Sequence, residues 1–286
     1  MNKIIPFVLA SNEEYIRHAI TLTVSILENS SKDLIYKLLF FQKNCQKKSL
    51  NVFKSIKKSY KNFDIEIYTN NFTDNLNDYG RYSMSTFDRL YIPNILTNYS
   101  KVLYLDCDMI ALDDISKLYE EDISDYYAAV CKDYGLEQLV KERENRFLDR
   151  NELYKDLNWY DYAKNILELK DVYSMFSAGM MLINLIKFRE NNIGEKCIKD
   201  LIKYQYILPD QDALNKHLQG KVKYVDNRWN LSVGTLTFND KIKHKLYNAS
   251  KNPGILHYKP WANNKLLFTD EYYKYFLKSP LSPFKN

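Results

Sequence analysis

A regular alternation of apolar runs and amphipathic segments fills the first seventy residues and restricts the fold of the chain most strongly. The apolar run Ile4–Ala10 is followed by a polar turn and by a helical pattern through Ile20–Leu27. The unit repeats with strand-like Leu34–Phe41, a helical pattern over Gln46–Lys58 and strand-like Phe63–Tyr68. Continuous apolar strands separated by helices are typical of parallel sheets that helices cover. The pattern therefore predicts a βαβαβ unit, with ligands binding at the carboxyl ends of its strands.

Further elements are expected along the rest of the chain. They are helices over 85–96, 187–204 and 210–218, strands at 102–105, 126–131 and 222–225, a small apolar segment at 175–184, and a charged helical segment outside the main sheet at 137–170. The 286 residues show no internal repeat and no flexible linker. One large domain with at most a modest appendage is expected.

Glycine is scarce, with seven residues at positions 80, 135, 179, 194, 220, 234 and 254. No two of them are close enough for a dinucleotide-binding fingerprint, a Walker-type phosphate loop or a Gly-x-Ser-x-Gly nucleophile elbow. If the protein binds a nucleotide, it has to hold the phosphates by other means. The twenty-five tyrosines either fill the core or offer stacking surfaces for sugars and bases, and composition does not choose between these roles.

Net charge and cysteine content restrict the cellular compartment and the classes of binding partner that we expect. The net charge of +5 is spread along the chain, which argues against a nucleic-acid partner. No apolar run approaches the roughly eighteen residues that a membrane-spanning helix needs, and Ile4–Ala10 is too short for a secretory signal. The four cysteines form no Cys-x-x-Cys pair. We therefore expect a cytoplasmic protein in a reducing compartment.

Two carboxylates follow directly on the apolar strand Val102–Leu105. Asp106 and Asp108 stand at i and i+2 of an extended segment, so their side chains point to the same side and can share one divalent cation. Such a cation would neutralise a departing diphosphate as it develops charge. An isolated Asp-x-Asp is more often a solvated turn, but a buried strand has little reason to end in two acids unless they face a ligand.

His257 ends a second apolar segment, Gly254–Leu256, far along the chain. A single histidine of this kind is more often a structural residue. As a third ligand beside two carboxylates, its imidazole would favour manganese-like ions over magnesium bound purely by oxygen. Lys259 lies two residues further on, where it would face a phosphate.

Six short motifs occur in a fixed order between residues 4 and 261. They are Leu9-Ala10-Ser11-Asn12-Glu13-Glu14-Tyr15, Thr86-Phe87-Asp88-Arg89-Leu90, Lys101-Val102-Leu103-Tyr104-Leu105-Asp106-Cys107-Asp108, Phe176-Ser177-Ala178-Gly179-Met180-Met181-Leu182-Ile183-Asn184, Asp210-Gln211-Asp212-Ala213-Leu214-Asn215 and His257-Tyr258-Lys259-Pro260-Trp261. Each motif is weak alone, but the ordered set is specific. With it the chain resembles the family 8 glycosyltransferases, retaining enzymes that include glycogenin and bacterial lipooligosaccharide galactosyltransferases.

The resemblance implies an α/β fold of the GT-A type, a single Rossmann-like domain with a mixed, mainly parallel sheet and a short C-terminal helical extension. It assigns residues 1–261 to the catalytic domain and 262–286 to an aromatic and basic tail that packs on the domain or touches membrane. The implied donor is a UDP-sugar, with Mn²⁺ beneath its diphosphate and Mg²⁺ as an alternative. A metal bridge of this kind also explains the absent glycine loop.

The resemblance places a metal site and a nucleotide site at the strand ends. Its metal ligands are Asp106, Asp108 and His257. Asn12 and Tyr15 would hold the uracil, Tyr15 by stacking on the ring. The residues implied to line the nucleotide-sugar site are Ala10, Asn12, Tyr15, Asp106, Cys107, Asp108, Ser177, Ala178, Gly179 and Lys259.

The implied catalytic residues are Gln211, Asp210 and Arg89. Arg89 and Asp210 would contact hydroxyls of the donor sugar, with a salt bridge and a helix cap as their respective structural alternatives. Gln211 would lie near the anomeric carbon, on the face opposite the leaving group. A neutral amide is a poor nucleophile, so retention is expected to follow a front-face displacement through an oxocarbenium-like state. For Asp212, helix capping and sugar contact both stay open.

Two departures from the family pattern bear on these expectations. Ser177 stands where the family often has an Asn that faces the donor sugar, so the choice among glucose, galactose and related sugars stays open. The usual His-x-x-Gly-x-x-Lys-Pro-Trp motif is contracted to His257–Trp261, which removes a glycine that lets backbone approach the phosphates. Lys259 would then be aimed differently. Residues that would substitute for it are Asn263, Asn264 and Lys265.

The predicted function is the retaining, Mn²⁺-dependent transfer of glucose or galactose from a UDP-sugar to a hydroxyl of a glycan or glycoprotein. Bacterial surface polysaccharide, lipopolysaccharide or glycoconjugate synthesis is the expected setting, with peripheral contact of the tail at the inner face of the cell membrane as an alternative to a purely cytoplasmic location. The middle segment at about 135–170 and the tail are expected to contact the acceptor. The alternative functions are a self-glucosylating primer enzyme and a catalytically silent UDP-sugar-binding protein.

Overall fold

Strands and helices alternate along most of the chain in the computed structural model, which describes residues 3–69, 76, 79, 84–237, 240–258 and 269–282. The strands are, in chain order, β1 (Ile4–Asn12), β2 (Ile35–Lys43), β3 (Phe63–Thr69), β4 (Lys101–Leu105), β5 (Met109–Ala111), β6 (Ala128–Lys132), β7 (Phe176–Asn184), β8 (Val222–Tyr224), β9 (Leu231–Ser232) and β10 (Ile255–His257). The α-helices are α1 (Ile16–Glu28), α2 (Lys47–Ser59), α3 (Asp88–Ile95), α4 (Ser116–Tyr119), α5 (Tyr134–Lys141), α6 (Trp159–Asp161), α7 (Leu185–Glu190), α8 (Ile193–Lys203), α9 (Pro209–Leu218), α10 (Asp240–Lys245), α11 (Tyr247–Lys251) and α12 (Thr269–Lys278).

Seven of the described strands form one mixed, mainly parallel sheet in the order β3-β2-β1-β4-β7-β6-β8. β1 pairs in parallel with β2 and β4, and β2 pairs in parallel with β3. β7 runs antiparallel between β4 and β6, while β8 pairs in parallel with β6. The βαβαβ prediction for the first seventy residues is confirmed, and so is the predicted fold class.

Both faces of the main sheet are covered, which explains its nearly continuous apolar strands. Along β1, Phe7 and Leu9 point into one core and Val8 points into the other. The first core is closed by α1 and α2, and the second by α3, α8 and α9. With both faces occupied, the strand ends are left as the place where a ligand can be bound.

A second, three-stranded sheet in the order β5-β10-β9 begins where β4 ends. β5 starts directly after the two carboxylates and pairs antiparallel with β10, so that Met109 lies opposite His257. On its other side β10 pairs in parallel with β9. This register brings His257 next to Asp108, although the two residues are far apart in the sequence.

Two predicted helical segments are wrong in extent. The expected helix over 187–204 is two helices, α7 and α8, because Asn192 takes a left-handed conformation with φ of 50° and interrupts the helical backbone. The segment 137–170 is broken into short pieces: α5 ends at Lys141, and a 3-10 turn at Leu148–Arg150, α6 and a π-helical turn at Tyr162–Ile166 follow. Left-handed φ angles also recur within that segment, at Arg143, Phe147 and Glu168.

The C-terminal helix α12 packs on α1. Tyr272 and Tyr275 are buried on one face of α12, whereas Tyr273 is 58% exposed. The Tyr275 hydroxyl accepts a hydrogen bond from the side-chain amide of Asn29 at 2.8 Å, just beyond the end of α1. Among the described residues, no helix is both long enough and apolar enough to cross a membrane.

Candidate active site

The two carboxylates that follow β4 are held by the strands on either side. The backbone N–H of Asp106 donates to the carbonyl of Gly179 on β7 at 2.8 Å. The carbonyl of Asp108 accepts from the N–H of Tyr258, which follows β10, at 2.9 Å. The side chains of Asp106 and Asp108, which flank Cys107, are thereby fixed at the carboxyl end of β4.

His257 is directed between these carboxylates. Its Nε2 lies 3.1 Å from Oδ1 of Asp108 and 3.7 Å from Oδ2 of Asp106. The three candidate ligand atoms lie within 4.8 Å of one another, which is compatible with contact to a single ion. The structure thus brings together the three residues that the sequence suggested as metal ligands.

The hydrogen bonding of His257 supports a cation at this position. The imidazole is 1% exposed, and its Nδ1 lies 2.9 Å from Oδ1 of Asn230, an acceptor, so Nδ1 carries the proton. Its Nε2 is buried and has no hydrogen-bond partner among the described residues. In a neutral ring with the proton on Nδ1, the Nε2 lone pair faces two carboxylates, an arrangement that a cation between them would stabilise. The mixed nitrogen and oxygen donors fit a divalent metal ion.

Arg89 on α3 joins the carboxylates to α9. Its Nη2 donates to Oδ1 of Asp106 at 2.6 Å, and its Nη1 lies 3.1 Å from Oδ2 of Asp210. Nη1 also donates to the carbonyl of Ala178 at 2.6 Å, and the guanidinium lies over the ring of Tyr104. Although burial acts in the opposite direction, Asp106 and Asp210 raise the pKa of Arg89 above its ordinary value. Arg89 therefore stays charged and orients both carboxylates, as in the salt-bridge alternative.

Gln211 lies in the first turn of α9, and both the oxygen and the nitrogen of its side-chain amide are hydrogen-bonded. Its Oε1 accepts from the backbone N–H of Ala178 at 3.0 Å, and its Nε2 donates to Oδ2 of Asp133 at 3.3 Å. Asp133, which caps α5, was not identified from the sequence as a site residue, although an aspartate before a helical run signals an N-cap. Asn230, which orients His257, was also missed, and its position in the sequence carries no such signal.

Asp212 supports the start of α9 rather than facing a ligand. It is fully buried, and its Oδ2 accepts from the backbone N–H of Leu208 at 2.9 Å and from the hydroxyl of Tyr162 at 2.8 Å. Asp212 thus braces the N-terminal turn of α9 from within the core, although Leu208 and not Asp212 is the N-cap residue, and its Oδ1 has no hydrogen-bond partner among the described residues. Burial, with a smaller contribution from Asp210, raises the pKa of Asp212 to about 7.

The stability of the protein should therefore depend on pH through Asp212. The carboxyl group of Asp212 releases its proton near pH 4 in the unfolded chain and near pH 7 in the folded chain. Its contribution to the free energy of unfolding is therefore complete below pH 4 and is lost as the pH rises through 7. Between pH 5 and 7 the free energy of unfolding of the parent should fall by about 2–3 kcal/mol relative to that of Asp212→Asn, whose side chain cannot ionise. Urea unfolding of both proteins across this range measures the difference, and parallel curves would contradict the assignment.

The residues that the sequence suggested for the nucleobase lie at the carboxyl end of β1. Tyr15 is 41% exposed there, and burial together with the nearby charge of Asp108 raises its pKa. Asn12 Oδ1 accepts from the backbone N–H of Tyr15 at 3.1 Å and so fixes the turn that carries the ring. Cys107 directs its sulfur to the carbonyl of Ala10 at 3.1 Å, and burial raises the pKa of this thiol. Cys107 is thus a buried residue whose sulfur packs against the backbone at the end of β1.

Gly179 lies where β7 passes closest to the carboxylate and histidine cluster. A Cβ at this position would stand 2.4 Å from Cε1 of His257 and 2.8 Å from Oδ2 of Asp106. Ser177 and Ala178 precede it on the same buried strand. Lys259 and its suggested substitutes Asn263, Asn264 and Lys265 lie outside the described residues.

Substituting Gly179→Ala should therefore displace His257 and Asp106 and weaken Mn²⁺ binding at least about tenfold, because metal ligands tolerate little displacement. Isothermal titration with Mn²⁺ measures this effect. Gly220→Ala is the control: Gly220 has φ of +73° and open space around its Cβ position, so the change should cost about 1 kcal/mol of stability and leave Mn²⁺ affinity unchanged. Equal Mn²⁺ affinities for the two variants would argue against a metal site beside Gly179.

The fold defined by the mixed sheet is that of the GT-A glycosyltransferases. The solved structure of the galactosyltransferase LgtC, in complex with donor and acceptor sugar analogues, matches with a TM-score of 0.76 over 98% of this chain and 98% of that chain, at 20% sequence identity. This likeness shows the fold.

The sequence profile described as glycosyl transferase family 8 matches residues 6–265, and the chain belongs to this family. A putative glycosyltransferase of Haemophilus influenzae is 30% identical over 255 residues, which cover 88% of this chain and 70% of that protein. A lipopolysaccharide 1,2-glucosyltransferase of Escherichia coli is 26% identical over 217 residues, covering 72% of this chain and 56% of that protein.

Proposed function

We propose that this family 8 glycosyltransferase moves a hexose, glucose or galactose, from a UDP-sugar to a hydroxyl of a glycan or glycoprotein, with retention of configuration and with Mn²⁺. The observation that carries the proposal is the buried Nε2 of His257, which faces Asp106 and Asp108 with no hydrogen-bond partner among the described residues. The exposed ring of Tyr15, at the same edge of the sheet, adds a surface for the uracil.

Asp106, Asp108 and His257 would hold the metal ion, which, when bound, neutralises charge on the departing diphosphate. Mg²⁺ is the alternative ion. Arg89 has its guanidinium engaged with Asp106 and Asp210, so we assign it a positioning role. Through this ion pair it sets the carboxylate of Asp210 for the donor-sugar hydroxyls.

Gln211 supports retention without a covalent intermediate. Its amide is neutral, and the carbonyl oxygen already accepts from the N–H of Ala178. Both features make it a poor nucleophile. We propose that Gln211 contacts the sugar on the face opposite the leaving group, while the acceptor hydroxyl attacks from the front face and passes its proton to the leaving phosphate.

The remaining contacts and the division of the chain are proposed as follows. Asn12 and Tyr15 hold the uracil, and Ala10, Cys107 and residues 177–179 line the nucleotide-sugar site, with Lys259 near the diphosphate. Residues 1–261 form the catalytic domain, and 262–286 form a tail. The lipopolysaccharide glucosyltransferase among the relatives supports a surface glycan as acceptor, with the enzyme in the cytoplasm or at the inner face of the membrane.

A panel of UDP-sugars tests the function. UDP release is measured for UDP-glucose and UDP-galactose with Mn²⁺, with Mg²⁺ and with chelator, and intact mass spectra are recorded after each incubation. We expect one donor to react only when metal is present. Hexoses added to the protein itself would identify a self-glucosylating primer enzyme, whereas UDP binding without turnover of any donor would identify a silent binding protein.

A further inference from the structure

The exposed ring of Tyr15 packs against the ring of His18, one helical turn further along α1. The two ring centroids are 5.4 Å apart. His18 is 7% exposed, so its position is set by buried neighbours and not by solvent. The orientation of Tyr15 at the nucleotide end therefore depends on what holds His18.

His18 is held by Tyr272 of the C-terminal helix α12. The Tyr272 oxygen lies 2.7 Å from Nδ1 of His18, and both side chains are buried. On the other side of the ring, Nε of Arg17 donates to Nε2 of His18 at 3.3 Å. Nε2 is then the acceptor, so Nδ1–H donates to the Tyr272 oxygen. Burial and Arg17 lower the pKa of His18 to about 4, which keeps the ring in this neutral form.

Tyr272 also packs against the part of the site that contains the candidate metal ligands. Its ring meets that of Tyr258 edge to face, with the centroids 5.9 Å apart. Tyr258 directly follows His257, and its backbone N–H donates to the carbonyl of Asp108 at 2.9 Å. One side chain of α12 thus lies against the supports of both the nucleobase end and the carboxylate end.

We propose that Tyr272 is a positioning residue for the nucleotide, which holds His18 and, through it, the ring of Tyr15 on which the base stacks. The proposal rests on the proposed function, since it presumes that Tyr15 receives the uracil of the donor. It gives the C-terminal helix a part in donor binding, in addition to its packing on α1.

Tyr275 on the same helix provides a matched control. Its hydroxyl is also buried and also bonded to the α1 region, through the side chain of Asn29, but this contact lies at the far end of α1 from Tyr15. Removing the Tyr275 hydroxyl deletes its hydrogen bond with Asn29, whereas removing the Tyr272 hydroxyl deletes the bond with His18 and an interaction with Thr21 on α1. A purely structural role for Tyr272 therefore predicts lower stability in both variants, with the affinities for UDP and pyrophosphate changed alike.

The experiment compares Tyr272→Phe with Tyr275→Phe in the full chain. Affinities for UDP and for inorganic pyrophosphate, each with Mn²⁺, are measured by isothermal titration, and melting temperatures are recorded. We expect Tyr272→Phe to weaken UDP binding about fivefold, as for the loss of one hydrogen bond, and to leave pyrophosphate binding unchanged. Tyr275→Phe should bind both ligands like the parent.

A double variant separates positioning from general loosening. If Tyr272 acts through Tyr15, Tyr272→Phe should weaken UDP binding no further in a Tyr15→Ala background. Unchanged UDP affinity in Tyr272→Phe, or equal weakening for UDP and pyrophosphate, would overturn the inference and leave the proposed function intact. Failure of the parent to bind UDP at all would overturn both.

Discussion

The Asp108→Asn protein is expected to lose transfer activity, with kcat/KM at least about 100-fold below that of the parent. The amide keeps the size of the carboxylate but removes the charge that faces Nε2 of His257 at 3.1 Å. A divalent ion would then keep one carboxylate, Asp106, and one imidazole. UDP release measured over a range of donor and Mn²⁺ concentrations gives the change in kcat/KM, and the Mn²⁺ requirement should shift to higher concentration.

Asp113→Asn is the matched control for this substitution. Asp113 has similar side-chain exposure to Asp108 and is paired with Lys117 and Arg228, away from the proposed metal site. Its loss should leave the Mn²⁺ dependence unchanged. Activity of Asp108→Asn within a few-fold of the parent, with the same Mn²⁺ requirement, would falsify the assignment of Asp108 as a metal ligand.

The Arg89→Met protein is expected to lose about 3–5 kcal/mol of unfolding free energy, because truncating one partner of a buried ion pair leaves uncompensated charge. Arg89 is 4% exposed and pairs with both Asp106 and Asp210. Without the guanidinium, two carboxylates lie close together with no balancing side-chain cation from α3. Urea unfolding in metal-free buffer measures the loss, and added Mn²⁺ should recover part of it by neutralising Asp106.

Arg189→Met tests whether the loss comes from charge or from the truncation of a long side chain. Arg189 is partly buried and donates to backbone carbonyls, among them those of Pro93 and Tyr99. Its removal should cost about 1–2 kcal/mol, and Mn²⁺ should restore none of it. If both variants lose the same free energy and neither responds to Mn²⁺, the buried ion pair of Arg89 does not couple to the metal site.

The elements predicted best from the sequence were those whose apolar pattern is local. The strands at Ile4, Leu34 and Phe63 were predicted within a residue or two of their observed ends, because each is an apolar run bounded by polar turns. The segments 137–170 and 187–204 were predicted less well. Their helical patterns are interrupted by left-handed residues such as Asn192 and Glu168, and no glycine marks these positions.

The candidate site was predictable in its chemistry but not in its supports. Asp106 and Asp108 were singled out because two charges follow a buried strand, and His257 because it ends another. Asn230 and Asp133 were not, since each acts by hydrogen-bonding one site residue across the fold. Such partners leave no spacing pattern in the sequence.

By itself the sequence determined the α/β class, the family and the kinds of side chain available for binding a metal and a nucleotide, because periodicity and ordered motifs are properties of the chain. Only the tertiary structure decided how these side chains face one another. The pairing of β10 with β5 sets His257 beside Asp108, the packing of α3 sets Arg89 between Asp106 and Asp210, and the docking of α12 sets Tyr272 on His18. Each of these contacts joins residues distant in the chain, whose approach depends on strand register and helix packing.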